Sequence, residues 1–269
     1  MSGFSAALAD SLDPVALARR LGWEPDGWQR EVLRSDAPRE VIVAHRQAGK
    51  SMTSATKAVW VALYEAPALV LLVSPSQRQS DEIFRTCQAL WAALGRPVPA
   101  TADNRRSLEL ANGSRIVSLP GDEGTIRGFS RARLVVIDEA AYVDDSVLTA
   151  VSPMLAVSQG GQLLCISTPF GRRGFFWDVA TRPELQYRVT IVSATECPRI
   201  APEFLAAERE RMSDVTFRSE WMAEFVEGAG SMFAADDVDR FLTPVGERFD
   251  PFQPMHRLRL VPEAGKETA

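Results

Sequence analysis

The stretch Glu40 to Ser51, EVIVAHRQAGKS, constrains this chain more than any other. Glu40 to Ala44 is a short β-branched run of the kind that forms a buried parallel strand. Ala44-His45-Arg46-Gln47-Ala48-Gly49-Lys50-Ser51 is then one residue away from the phosphate-loop pattern G-x-x-x-x-G-K-[ST]. From Gly49 a long helix-like segment, KSMTSATKAVWVALYEA, runs on without Gly or Pro. A strand, a loop and a helix start in this order make an anion cradle, because backbone N–H groups of the loop and of the helix N-terminus converge on a β-phosphate. Gly49 lets the main chain curl without a Cβ in the way. Lys50 reaches the β/γ oxygens, and the Ser51 hydroxyl can ligate Mg²⁺. The bland alternative is a chance match on a strand-to-helix turn, so further motifs must decide.

The second motif is L-V-V-I-D-E, Leu134 to Glu139, an apolar run that delivers an acidic pair to a strand's C-terminal end. Asp138 can hold a Mg²⁺ hydration shell, and Glu139 can orient and deprotonate an attacking water. A helix-capping acidic pair after a buried strand is the rival for this motif taken alone; downstream of a phosphate loop the functional reading dominates. Cys165 to Pro169, C-I-S-T-P, places the small hydroxyl residues Ser167 and Thr168 at another strand end. There they can bond a γ-phosphate or a hydrolytic water, although by itself the motif is an ordinary strand-terminating turn. Arg46, inside the loop, and Arg127, in G-T-I-R-G-F, could supply transition-state charge stabilisation, in cis or from a neighbouring subunit. Gln29 carries donor and acceptor together and could read adenine; a solvent-facing helical Gln fits the sequence equally well.

Length and composition set the outer bounds. A chain of 269 residues accommodates one large α/β domain with a small appendage. Net charge is −5, so a nucleic-acid partner would have to be met by local arginines, with Arg105-Arg106, Arg131, Arg133 and Arg172-Arg173 as candidates. Solvated surface charge explains the same residues equally well. The three cysteines are scattered, which predicts reduced thiols, and two histidines leave almost no material for a zinc centre. The N-terminus has no signal-peptide character, and no apolar run approaches membrane-spanning length, so a cytoplasmic protein without membrane contact is expected.

Along the chain, helices are expected at Asp13–Gly22 and Gly27–Arg34, together an N-terminal helical segment within residues 1–38. A strand at Ala68–Val73 and a helix at Ser76–Leu94 follow. A hairpin is expected around Asn112-Gly113, then a polar loop from Pro120 to Arg131. A strand at Arg133–Ile137, a helix at Asp144–Leu155, a strand at Leu163–Ile166, a helix at Gly171–Ala180 and a strand at Tyr187–Val192 come next. Two more helices, Pro202–Met212 and Val215–Phe225, close a domain of residues 1–226. Alternating strands and helices imply an α/β fold with a mainly parallel sheet. The Pro- and Gly-punctuated stretch Glu227 to Ala269 reads as a short extension without its own core.

Taken together, R-Q-x-G-K-S at Arg46–Ser51, N-G-S-x-I at Asn112–Ile116, I-R-G at Ile126–Gly128, V-V-I-D-E-A-A at Val135–Ala141 and S-T-P-x-G at Ser167–Gly171 closely resemble the ATPase domain of phage terminase large subunits. The resemblance runs from about Trp28 to Phe233. It implies a RecA-like P-loop core of the additional-strand type, flanked by helices, with Mg²⁺-ATP hydrolysis driving double-stranded DNA translocation into procapsids. By position, Gln29 resembles the adenine-contacting residue and Arg46–Ser51 the Walker A motif. Asp138-Glu139 resemble the Walker B pair, Ser167-Thr168-Pro169 the coupling motif, and Arg127 the loop arginine that in some members acts in trans. Implied partners are a portal protein, a small terminase subunit and further copies of the chain in a ring. Ala44 departs from the family's leading Gly. Family members also continue into a nuclease domain, whereas Glu227–Phe233 resembles the linker into it and the remainder is too short for that fold; a linker-like tail without nuclease activity is expected. The rivals are a helicase-like or defence-associated ATPase, and a truncated prophage remnant that binds nucleotide without motor function.

Overall fold

A computed structural model describes residues 3–227. Three helices lead in: α1 (Gly3–Leu12), α2 (Pro14–Arg20) and α3 (Gly27–Arg34). Then come β1 (Arg39–Ala44), α4 (Lys50–Tyr64), β2 (Leu69–Ser74), α5 (Gln77–Ala93), β3 (Ala100–Asp103), β4 (Ser107–Leu110) and β5 (Arg115–Pro120). The second half carries α6 (Glu123–Ile126), β6 (Leu134–Asp138), α7 (Asp145–Ala156), β7 (Gln162–Ser167), α8 (Gly174–Thr181), β8 (Arg188–Val192), α9 (Pro202–Arg211) and α10 (Asp214–Glu220).

The local signals act as polar side chains at helix starts should. Asp13 accepts from the Val15 N–H with Pro14 at the first helical position, Ser76 accepts from Gln79 N–H, and Asp144 accepts from Ser146 N–H. Gly113, at φ +85°, makes the turn that folds β4 antiparallel onto β5.

The strands form one eight-stranded sheet in the order β3-β4-β5-β2-β6-β7-β1-β8, parallel except where β3 and β4 join at one edge. Alternate residues of the central strands enter two separate cores, which is why these strands read as unbroken apolar runs. Ile42, Val70, Leu72, Val136, Leu164 and Ile166 pack with Ala55, Ala58 and Ala62 of α4 and Phe84 of α5. Val41, Val43, Leu71, Val135, Ile137 and Cys165 pack with Val147 and Val151 of α7 and Phe176 of α8. A third, smaller core holds α9 and α10 together through Leu205, Phe217 and Trp221, with Ala194 from the preceding turn. β7 lies between β1 and β6, the additional-strand arrangement expected of a RecA-like core.

Four expectations are corrected. The Pro120–Arg131 loop contains the single helical turn α6, capped by Asp122 and anchored by the fully buried Ile126. The stretch around Pro97 and Pro99 leads into an unexpected edge strand, β3, and an unexpected helix, α1, opens the chain. The last helix stops at Glu220 rather than Phe225, because Ala223 takes a left-handed φ of +57°. Beyond Glu227, the expected nuclease-free tail lies outside the described residues. Among the described residues no helix is long and apolar enough to cross a membrane.

Candidate active site

β1, β6 and β7 are neighbours, so their C-terminal ends bring three sequence motifs to one place, the usual ligand crevice of an open parallel sheet. At the end of β1 the chain turns through His45–Gly49 into α4. Gln47 at φ +67° and Gly49 at φ +91° make the turn, and Gly49 sits directly before the first helical residue, Lys50. A Cβ on Gly49 would stand 2.7 Å from Gln29 Nε2, in a conformation L side chains rarely adopt. Gly49→Ala is expected to destabilise the folded chain by about 1–3 kcal/mol through strain at this turn, readable by urea unfolding.

The Lys50 side chain is buried and folds back over the loop, its Nζ donating to Ala44 O at 3.4 Å and His45 O at 3.2 Å. Burial pushes its ammonium below the usual lysine range, while the carboxylates of Glu139 and Asp138 pull it back up. Asp138 is buried too, and its carboxyl is pushed up to about 7, first by burial and then by the charge of Glu139, with Lys50 opposing. Asp138 Oδ1 has no hydrogen-bond partner. A buried carboxylate oxygen left without a donor beside a lysine and a second carboxylate is what a divalent cation would satisfy. The Ser51 hydroxyl, exposed at the first turn of α4, is the other oxygen expected to meet it.

Glu139 has φ +50° and ψ 44°, a left-handed conformation forced by the switch from β6 into a tight 3-10 turn at Ala140–Tyr142. A non-glycine residue held this way costs on the order of 1–3 kcal/mol, a strain that clusters at working sites. Its carboxylate Oε2 accepts a hydrogen bond from Ser167 Oγ at 3.2 Å, linking the ends of β6 and β7. Thr168, the next residue, is buried.

The other expected residues fall in different places. Arg46 is exposed, 3.6 Å from Glu220 of α10, and its backbone N–H donates to Glu220 O at 2.8 Å. His45 is fully buried, with its ring stacked against Trp221. Gln29 is not a solvent-facing helical Gln: its Oε1 accepts from Asp26 N–H at 2.7 Å and its Nε2 donates to Ala48 O at 3.3 Å. Both ends of that amide are therefore bonded inside the protein, against the outside of the loop. Arg127 is exposed at the end of α6 and pairs with Glu123. It lines a cavity of about 470 Å³ with Phe129, Pro153, Met154 and Val157 instead.

Of the arginines considered for DNA, Arg105 and Arg106 both pair with the buried Asp81. Arg172 pairs with Glu227 and Arg133 with Glu65, while Arg173 lies over the Phe170 ring. Sequence reasoning missed Asp26, Arg199 and Glu220, all of which touch the loop or the residues that hold it. Asp26 could have been found from its capping-box spacing to Gln29, whereas nothing local in the sequence links Arg199 or Glu220 to the loop.

A family model described as the RNA cytidine acetyltransferase NAT10/TcmA helicase domain matches residues 41–169, just under half of the chain, from β1 through the end of β7. The terminase large subunit of Thermus virus P23-45 is 29% identical over 81% of this chain and 52% of its own length. The chain therefore spans about half of that curated relative. Among solved structures, the large terminase ATPase domain of Thermus phage P74-26 superposes with a TM-score of 0.66 at 24% identity, over 78% of this chain and 97% of that one. The large terminase of a thermophilic bacteriophage, in complex with ADP, superposes with a TM-score of 0.60 at 10% identity, over 76% of this chain and 54% of that one. The protein that this chain resembles is thus the phage terminase large subunit, in the part that forms its ATPase domain.

Proposed function

We propose that this chain is a Mg²⁺-dependent, ATP-hydrolysing motor unit that drives double-stranded DNA translocation during phage genome packaging. The observation that carries the proposal is the convergence of Lys50, Asp138, Glu139 and Ser167 at the adjoining ends of β1, β6 and β7, with one Asp138 oxygen left unpartnered. The loop backbone and the start of α4 bind the phosphates, and Lys50 exchanges its two carbonyl contacts for phosphate oxygens. Ser51 and Asp138 would hold the Mg²⁺, which neutralises phosphoryl charge when bound. Glu139 takes the proton of the attacking water, held at its place by Ser167. Arg46 stabilises charge from within the loop. Arg127, exposed at the end of α6, acts on a neighbouring copy in a ring. A portal protein and a small terminase subunit complete the machine in the host cytoplasm.

Comparing ATP turnover of the wild type with Lys50→Ala tests the enzyme reading, and equal, negligible rates in both would sink it. DNA-stimulated turnover that falls steeply with salt is expected if arginines meet phosphates; salt-insensitive turnover without DNA stimulation counts against the motor reading. The helicase-domain match favours a second reading, a nucleic-acid-dependent ATPase outside packaging. Strand separation by the pure chain would support it.

A further inference from the structure

The outer side of the phosphate loop is held by Gln29 together with Asp26 and Arg199, two residues that no motif contains. Asp26 is the N-cap of α3, and its backbone N–H donates to Gln29 Oε1 in a capping box. Arg199 comes from the connection between β8 and α9. Its Nη1 donates to Asp26 Oδ1 at 2.7 Å and its Nη2 to Ala48 O at 3.3 Å. Gln29 Nε2 donates to the same Ala48 oxygen, also at 3.3 Å. One carbonyl thus receives two long hydrogen bonds, from elements on either side of the loop in sequence.

A trans peptide is planar, so its C=O and N–H point in opposite directions. Holding Ala48 C=O outward therefore aims the Gly49 N–H inward, toward the place where the β-phosphate sits. This peptide needs holding more than its neighbours do, because Gly49 has no Cβ to restrict it and lies at φ +91°. Neither bond to the oxygen is short, so removing one leaves the peptide free to tilt.

Resting on the nucleotide-binding reading above, we propose that Arg199 is a positioning residue for nucleotide affinity. It clamps Asp26 to Ala48 O and so pre-orients the Gly49 N–H for phosphate. Because Arg199 lies in the short connection into α9, and Arg46 N–H is bonded to Glu220 O of α10, the seating of the α9–α10 unit is coupled to the strength of nucleotide binding.

The test is ADP titration by calorimetry, with steady-state ATPase kinetics and unliganded thermal melts, on the whole chain as wild type, R199A, R199K and D26A. R199A is expected to weaken ADP and raise the KM for ATP by about tenfold, the usual scale for one charge-assisted hydrogen bond, with kcat within about threefold. R199K keeps one arm of the clamp and should fall between wild type and R199A. D26A removes the anchor and should weaken ADP in the same direction. The unliganded melting temperature of R199A should not move, since Arg199 is half exposed and lies outside the two main cores; D26A, which also removes the N-cap of α3, is read by ADP affinity alone. Wild-type binding with R199A affinity within twofold would overturn the inference alone. So would an R199A defect confined to kcat and melting temperature. Absence of ADP binding by the wild type would overturn the nucleotide reading, and the inference with it.

Discussion

Glu139→Gln should bind ATP as tightly as wild type and turn it over about 10²- to 10⁴-fold more slowly, the usual loss on removing a general base. The substitution is close to isosteric, and the left-handed backbone at Glu139 is imposed by the turn after β6 rather than by its side chain. The amide oxygen can still accept from Ser167 Oγ, so the site keeps its shape. What is lost, on the mechanism proposed above, is the carboxylate that takes a proton from water. Removing it also removes a charge that raises the Asp138 pKa and one that pulls Lys50 up, so nucleotide binding should show a changed pH dependence without loss of affinity at neutral pH. Single-turnover quench-flow measures the chemistry and fluorescent-nucleotide titration the affinity. Turnover within fivefold of wild type would remove Glu139 from the mechanism. Weak binding with normal single-turnover chemistry would make it a structural residue.

The second large effect lies away from the nucleotide. The chain has only three lysines, and Lys57 is buried midway along α4, its Nζ donating to Val32 O and Ser35 O at 2.8 Å each. These bonds satisfy carbonyls at the C-terminal end of α3. Burial nevertheless lowers its pKa from 10.5 to about 8, with Glu40 the main opposing charge. Below pH 8 the folded and unfolded chains both carry the proton, and the burial penalty is present in full. Between about 8 and 10.5 the unfolded chain holds a proton that the native chain has lost, so stability rises with pH. At about 1.36 kcal/mol per pH unit, the gain is on the order of 3 kcal/mol when complete.

Cys87 and Cys165, both pushed up to about 12 by burial, act in the opposite sense above pH 9, because the unfolded thiols ionise first. The total stability is therefore not the readout. The difference between wild type and Lys57→Met in urea-unfolding free energy, followed from pH 7 to 10.5, cancels the cysteines and isolates the lysine. That difference should shift in favour of the wild type as pH rises. A flat difference would show that the native Lys57 keeps its proton throughout.

The fold was largely legible in the sequence because its central strands are buried on both faces. Such strands are apolar at every position, and their bounding caps, at Asp13, Ser76 and Asp144, are local in the chain. Where the signal was weaker the reading failed. β3 is an edge strand of mixed burial beside two prolines, and α6 is a single turn whose one strong determinant is the buried Ile126. The end of α10 depended on a left-handed alanine that no propensity announces.

The candidate site divides in the same way. The positions of Lys50, Ser51, Asp138, Glu139, Ser167 and Thr168 were legible because each stands where a strand ends or a helix begins. The sequence by itself therefore determined the sheet, the strand-loop-helix turn at His45–Lys50 and the place of the acidic pair. Only the tertiary structure could decide the rest. It turned the Gln29 amide onto the loop, set Arg199 and Asp26 behind Ala48, and laid Glu220 against Arg46. It also paired Arg127 with Glu123. The physical reason is distance along the chain: Asp26 and Arg199 meet only after β8 has paired with β1, and no local pattern carries information about a contact made by sheet assembly. The strand-loop-helix at Glu40–Ser51 is thus written in twelve consecutive residues, whereas the clamp that shapes it is supplied by residues the fold alone brings there.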